Sequence, residues 1–340
     1  MGVWRNSNGA ALFKLGIRYY QRTTGDRGEN LTRSVDCFTK ALRFITAEAA
    51  PRDYALIQNS LGVAYSSLPS GDRAANLERA LECYAQALRF YTAEAVPLDY
   101  AMAQNNLGIA YLELPTGDRA ANLERAIECG AQALRFYTAE ATPLEYAMAQ
   151  NNLGNAYGDR RNGDRAGNLA RAIECYTQAL RFYTAKAAPL RFAPIQNNLA
   201  NSYTDLRTGD RAANLQRAID CYTQALRIYT AEAAPLDYAM VQNNLGNAYI
   251  DLPTGDRAAN LQRAIDCYTE ALRFRTAEDT PLDYATTQNN LGEAYRELLT
   301  GDRAANLQRA IDCYTEALRF RTAEDTIGRA SCRERVSSVV

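Results

Sequence analysis

Along residues 235–280 the apolar positions form two helical patterns in succession. In the first, Tyr238, Leu245 and Tyr249, with the small Ala239 and Gly246 between them, share one arc of a helical wheel. It opens at Pro235, where a missing N–H costs nothing, and the spacing predicts a helix to about Leu252. Leu-Pro-Thr-Gly then breaks it. In the second, Leu261, Ala264, Ile265, Tyr268, Ala271 and Leu272 recur at i, i+3, i+4 and i+7. Asp256 is a suitable N-cap, and this helix is expected to end near Ala277. In the first such segment Asp26 and Glu29 also fit a capping box. Strict period-2 alternation is absent, so the expected fold class is all-α.

The same pair of patterns recurs through the chain. Gly-Asp-Arg starts at Gly25, Gly71, Gly117, Gly163, Gly209, Gly255 and Gly301, always 46 residues apart. Prolines open the first helices at 51, 97, 143, 189, 235 and 281. One helical hairpin cannot bury both of its faces. Seven in a row can, as a solenoid held by nearest-neighbour contacts.

Composition narrows the chemistry. Net charge is -1, with 47% hydrophobic and 23% charged residues, as in ordinary globular domains. Histidine is absent, which removes the commonest general base and metal ligand. Neither a Walker-type lysine motif nor GxGxxG occurs. Seven of the eight cysteines, Cys37 to Cys313, follow the 46-residue period, and none is in a CxxC pair. They read as small apolar residues on a buried stripe and not as disulfides or zinc ligands. The sequence shows no membrane-length apolar run and no signal-peptide h-region, so the cytoplasm is the expected location. No cofactor, metal, nucleic acid or membrane is expected as a partner.

The residues Leu245, Gly246, Tyr249, Ala264, Tyr268, Ala271 and Leu272, repeated across 1–326, resemble the tetratricopeptide repeat. The unit is about twelve residues longer than that family's, the excess lying between the helices and between units. Long units with an Asn-Asn-Leu core are similar to the kinesin-light-chain type and to bacterial arrays associated with CHAT protease-like domains. The resemblance implies a right-handed α-solenoid of seven helix-turn-helix units. Its concave face, lined by first helices, would bind peptides or partner proteins.

The repeated QNNLGNAY stretch points to a candidate surface. Opposite the buried arc of the first helices lie Met102 and Asn106; Met148, Asn152, Asn155 and Asp159; Asn198, Asn201 and Asp205; Met240, Asn244, Asn247 and Asp251; and Asn290 and Glu293. Asn243-type residues fall on the flank, and Gln242-type residues fall mid-arc, where burial with a hydrogen bond is expected. An Asn amide both donates and accepts, so a ladder of them can pair with an extended backbone of any sequence. Methionine adds adaptable apolar contact. Carboxylates in the last helical turn oppose the helix dipole and call for a cation. One reading is a groove for an extended peptide with basic residues. The competing readings are that the asparagines set the register between repeats, that the carboxylates pair with the Arg of Gly-Asp-Arg in their own unit, and that the methionines fill a gap at the helix start.

The units are uneven. The first is divergent, with Trp4 and with Leu12 and Phe13 in place of Gln and Asn. The third has Gly130 where others have Tyr, and the unit that opens at Pro189 has Pro194 five residues later, early in its first helix. Residues 115–200 are therefore expected to be the weakest stretch, and the helix at Pro194 to start late or bend. The segment 327–340 breaks phase and resembles a translated sequencing adapter, so it is set apart from the 1–326 solenoid along with Cys332. The natural chain is expected to continue.

Every Asp, Arg and Tyr that could serve in catalysis recurs once per unit, as structural residues do. The expected function is a non-catalytic protein-interaction scaffold. The alternatives are the interaction module of a larger enzyme or signalling protein, such as one with a CHAT domain, and a helical RNA-binding repeat, which would need a basic groove.

Overall fold

The computed structural model describes residues 7–320. Among the described residues there are fourteen α-helices and no strands. They fall into two compact units that divide after residue 182. The first unit holds α1 (Ser7–Gln21), α2 (Arg27–Ala41), α3 (Pro51–Ser66), α4 (Arg73–Leu88), α5 (Pro97–Glu113), α6 (Arg119–Ala133), α7 (Pro143–Asp159) and α8 (Arg165–Ala179). The second holds α9 (Pro189–Asp205), α10 (Arg211–Ala225), α11 (Pro235–Asp251), α12 (Arg257–Leu272), α13 (Pro281–Glu297) and α14 (Arg303–Phe320). Odd helices are the first of each repeat and even helices the second. Within each unit, helices pack on their sequence neighbours and first helices touch the next first helix. The segment 327–340, Cys332 and Trp4 lie outside the described residues.

The loop between paired helices is built from three recurrent residues. Gly255 and its six equivalents have φ of 77–82°, a conformation that side chains with Cβ avoid. Asp256 then caps α12, accepting from the Ala258 N–H. Asn260 is buried, and its Nδ2 donates 2.8 Å to the Thr254 carbonyl, which closes the loop. The capping box at Asp26 is half made: Asp26 accepts from the Glu29 N–H, but the Glu29 side chain pairs with Arg33.

The second helices end earlier than the sequence indicates. α12 stops at Leu272, five residues short of Ala277. The chain there tightens into a turn in which the Ala271 carbonyl accepts from the Phe274 and Arg275 N–H groups. Thr276 Oγ1 then accepts from the Asp279 N–H, giving the backbone an alternative to helix.

Paired helices meet through an aromatic on a glycine. Tyr268 is fully buried, and a Cβ at Gly246 would lie 2.6 Å from its ring. The same pairing joins Gly62 to Tyr84, Gly154 to Tyr176 and Gly292 to Tyr314. In the third repeat Gly130 replaces the tyrosine, and the nearest atom to a Cβ on Gly108 would be Cys129 Cβ, at 3.1 Å.

The helix containing Pro194 neither starts late nor shortens. α9 begins at Pro189 and runs 17 residues, as α7 and α11 do. A proline at the sixth position removes one hydrogen bond, to the carbonyl of Leu190, a residue 82% exposed where water can take over.

Arg275 is 7% exposed and occupies the position of the buried Tyr91 and Tyr137. Its Nη1 donates 2.9 Å to Thr287 Oγ1, where other repeats carry Ala, Val or Ile, and Asp283 is 4.0 Å away. Burial lowers its pKa from the ordinary arginine value. Removing one partner leaves a buried charge short of bonds, whereas replacing both is close to neutral. Thr287→Val is therefore expected to destabilise by about 1–3 kcal/mol, and Arg275→Tyr combined with Thr287→Ala to recover that loss. Urea midpoints of the three proteins check this.

Candidate functional site

The paired asparagines form a ladder between repeats. Asn106 Nδ2 donates 3.2 Å to Asn59 Oδ1, and Asn152 donates 3.1 Å to Asn105. In the second unit Asn244 donates 3.3 Å to Asn197, and Asn290 donates 3.2 Å to Asn243. The acceptors Asn59, Asn105, Asn197 and Asn243 are buried, which corrects their placement on a flank. They sit where two first helices meet, a contact that a single-helix wheel does not contain. Asn106, Asn152, Asn244 and Asn290 are thus half-buried and bonded to the preceding repeat, so the register reading describes their geometry.

The next asparagine along, one turn further, bonds within its own repeat. The Tyr176, Tyr222 and Tyr268 hydroxyls donate to Asn155, Asn201 and Asn247 at 2.9, 2.6 and 2.7 Å. Tyr314 donates to Glu293 at 3.0 Å. Where Val63 supplies no acceptor, Tyr84 meets Ser66 instead, and where Gly130 removes the tyrosine, Ile109 stands at the acceptor position. This co-occurrence of Tyr and acceptor was a signal available in the sequence.

The carboxylates have an internal cation. Arg119 Nη2 reaches Asp159 at 2.7 Å, and Arg211 Nη2 reaches Asp251 at 2.7 Å. Arg73 pairs likewise with Glu113, and Arg257 with Glu297. Each arginine belongs to the Gly-Asp-Arg of the preceding repeat, which corrects the same-unit pairing. The reason is that its other nitrogen already caps its own first helix, as Arg119 does at the Leu112 carbonyl and Arg211 at the Thr204 carbonyl. One guanidinium thus neutralises a helix end and bridges to the next repeat. The demand for an external cation falls away, and with it the premise for a basic ligand.

The remaining candidates sit elsewhere on the same helices. Met102 packs partly on the cluster of Ala87, Tyr91 and Ala103, and Met240 on that of Val241 and Leu245. Met148 is half-buried at the equivalent place, Asn198 is half-buried and accepts from Asn197, and Asp205 is the exposed last residue of α9. Gln242-type residues are half-buried and not fully buried, apart from Gln58. Gln58, Gln104 and Gln288 donate to the tyrosine one turn earlier, at 2.8–3.1 Å.

Four of the candidates converge on one opening. Between α11 and α13 lies a cleft of about 280 Å³ lined by Asn247, Ile250, Asp251, Tyr268, Asn290 and Glu293. Its polar groups are all bonded to the framework: Asn247 accepts from Tyr268, Asn290 donates to Asn243, Asp251 pairs with Arg211, and Glu293 accepts from Arg296 and Tyr314. Among the described residues no group of three His, Cys, Asp or Glu side chains could hold a metal ion. No helix of the described residues is long and apolar enough to cross a membrane.

Comparison with known proteins follows this geometry. The Sel1 repeat model matches residues 9–43, 58–89, 239–273 and 285–319, and the soluble NSF attachment protein model matches 115–242. A search of curated proteins found no match. Among solved structures, a Signal Transduction ATPase with Numerous Domains (STAND) protein with a tetratricopeptide repeat sensor, from Pyrococcus horikoshii, aligns over 98% of this chain with a TM-score of 0.63 and 15% identity. The chain is a tetratricopeptide-like repeat array. The array spans 44% of the length of that archaeal protein. Yeast Tom70 aligns over 99% of the array and 65% of its own chain, at 11% identity and a TM-score of 0.38. An assembly chaperone of RpL4 aligns over 97% of both chains, at 15% identity and a TM-score of 0.38.

Proposed function

We propose that the array is a non-catalytic scaffold that holds an extended segment of a protein partner along its first helices. The observation that carries this reading is the cleft between α11 and α13, where amides and carboxylates flank the apolar Ile250. Such a mixture suits a peptide backbone with an occasional apolar side chain. The asparagine ladder supports the same reading, because it fixes the spacing between neighbouring first helices before any ligand arrives, which lowers the ordering cost of binding.

A second reading comes from the archaeal match, whose description names a repeat sensor within a signal-transduction ATPase. The same scaffold would then serve as the sensing arm of a larger signalling protein. An array joined to a CHAT domain is a variant of that reading.

Peptides selected from a random display library against the array test the first reading. Ile250→Arg places a bulky group in the cleft, while the Ile250 carbonyl still accepts from Arg257. Selected peptides are expected to lose at least about tenfold in affinity for this variant, or about 1.4 kcal/mol. Peptides that bind it as tightly as the parent would remove the cleft from consideration.

A further inference from the structure

The loop after α7 departs from its equivalents in a way that the groove does not explain. Where two other repeats have Leu114-Pro115-Thr116 and Leu252-Pro253-Thr254, this one has Arg160-Arg161-Asn162. The leucines at the first of these positions are buried, so an arginine there gives up core packing. Arg160 is held instead by Glu124 of α6, at 2.6 Å. Beside it, Arg119 is held by Asp159 at 2.7 Å. Arg161 is exposed and has no partner among the described residues.

These side chains surround an open cleft of about 400 Å³, lined by Arg119, Arg160, Arg161, Asn162, Asp159 and Leu123. Three arginines and one carboxylate thus line it. The repeat at 143–188 carries six basic and four acidic residues, whereas the preceding one, 97–142, carries three and six. This repeat is thus net positive where the one before it is net negative.

We propose that this cleft is a docking point for an acidic peptide segment, with Asp or Glu carboxylates seated on Arg161 and on the free edges of Arg160 and Arg119. The proposal rests on the scaffold reading and adds a second contact, of opposite charge preference to the one the carboxylates of the first helices had implied. The two ion pairs already present show carboxylates binding these same guanidinium groups. An arginine fork offers five donors, and Arg160 and Arg119 use only some of theirs internally. Arg161 offers all five. Leu123 at the floor gives a ligand methylene chain an apolar surface.

The probe is a fluorescein-labelled peptide rich in Glu, compared with the same peptide carrying Gln. Fluorescence anisotropy with the full chain is expected to show binding of the first and not of the second, and weakening as ionic strength rises from about 0.05 to 0.3 M. Arg160→Leu, Arg161→Pro and Asn162→Thr together restore the loop found at 114–116, and are expected to weaken binding at least about tenfold. Arg161→Gln, which breaks no internal bond, is expected to weaken it about threefold or more and guards against misfolding of the triple variant. Ile250→Arg lies in the other compact unit and should leave this binding unchanged, which separates this proposal from the groove. No binding of the Glu peptide, equal binding of the Gln peptide, or full binding by Arg161→Gln would overturn it.

Discussion

Tyr268→Ala is expected to destabilise α11 and α12 by about 3–5 kcal/mol, and Tyr268→Phe by about 1 kcal/mol. The ring is fully buried against Gly246, so alanine leaves a cavity between helices that were spaced for an aromatic. Phenylalanine keeps the ring and loses only the hydroxyl that donates to Asn247, whose acceptor opens onto a cleft where water can replace it. Burial also raises the pKa of this hydroxyl well above the ordinary tyrosine value, so it stays protonated as a donor throughout the neutral range. Because an array unfolds in parts, the readout is local: hydrogen exchange of α11 and α12 alongside urea midpoints. An alanine variant no less stable than the phenylalanine one would show that the ring does not hold the pair together.

The second large effect concerns the third repeat. A thiol-specific reagent is expected to label Cys129 at least about tenfold faster than Cys83 or Cys175, corresponding to a local opening cheaper by about 1.4 kcal/mol or more. All three thiols are buried, and burial pushes each up to about 12, so at pH 8 these three sites present almost no thiolate in the folded chain. Labelling therefore proceeds through opening. The repeat around Cys129 lacks the aromatic that anchors the others, and it carries a helix-interior glycine that costs about 1 kcal/mol against alanine. Gly130→Ala is expected to slow labelling, since the added Cβ would meet only the Leu153 side chain, at 3.3 Å. Equal rates at all three sites would contradict a weak third repeat. The same shift gives a pH dependence. The unfolded chain releases thiol protons near 9.0 and the folded chain near 12, so stability is fully present below about pH 9 and falls as pH rises toward 12.

Much of the array was legible from sequence because it depends on one helix at a time. Pro235 opens α11 and Asp256 caps α12 by rules that need only neighbouring residues. The wheel that placed Leu245 and Tyr268 inside used only the 3.6-residue period. A 46-residue recurrence then made seven hairpins out of one.

What the tertiary structure decided is where polar groups find their partners. Asn244 bonds Asn197, 47 residues away, and Arg211 bonds Asp251, 40 residues away. A periodic sequence does not distinguish a partner in the same repeat from one in the next, since every candidate recurs at the same spacing. That choice is made by distance in space, which sets hydrogen-bond strength over tenths of an ångström. The amphipathic period therefore determined the helices and their buried faces, and only the stacking of one repeat on another determined which asparagines and carboxylates pair with which partners.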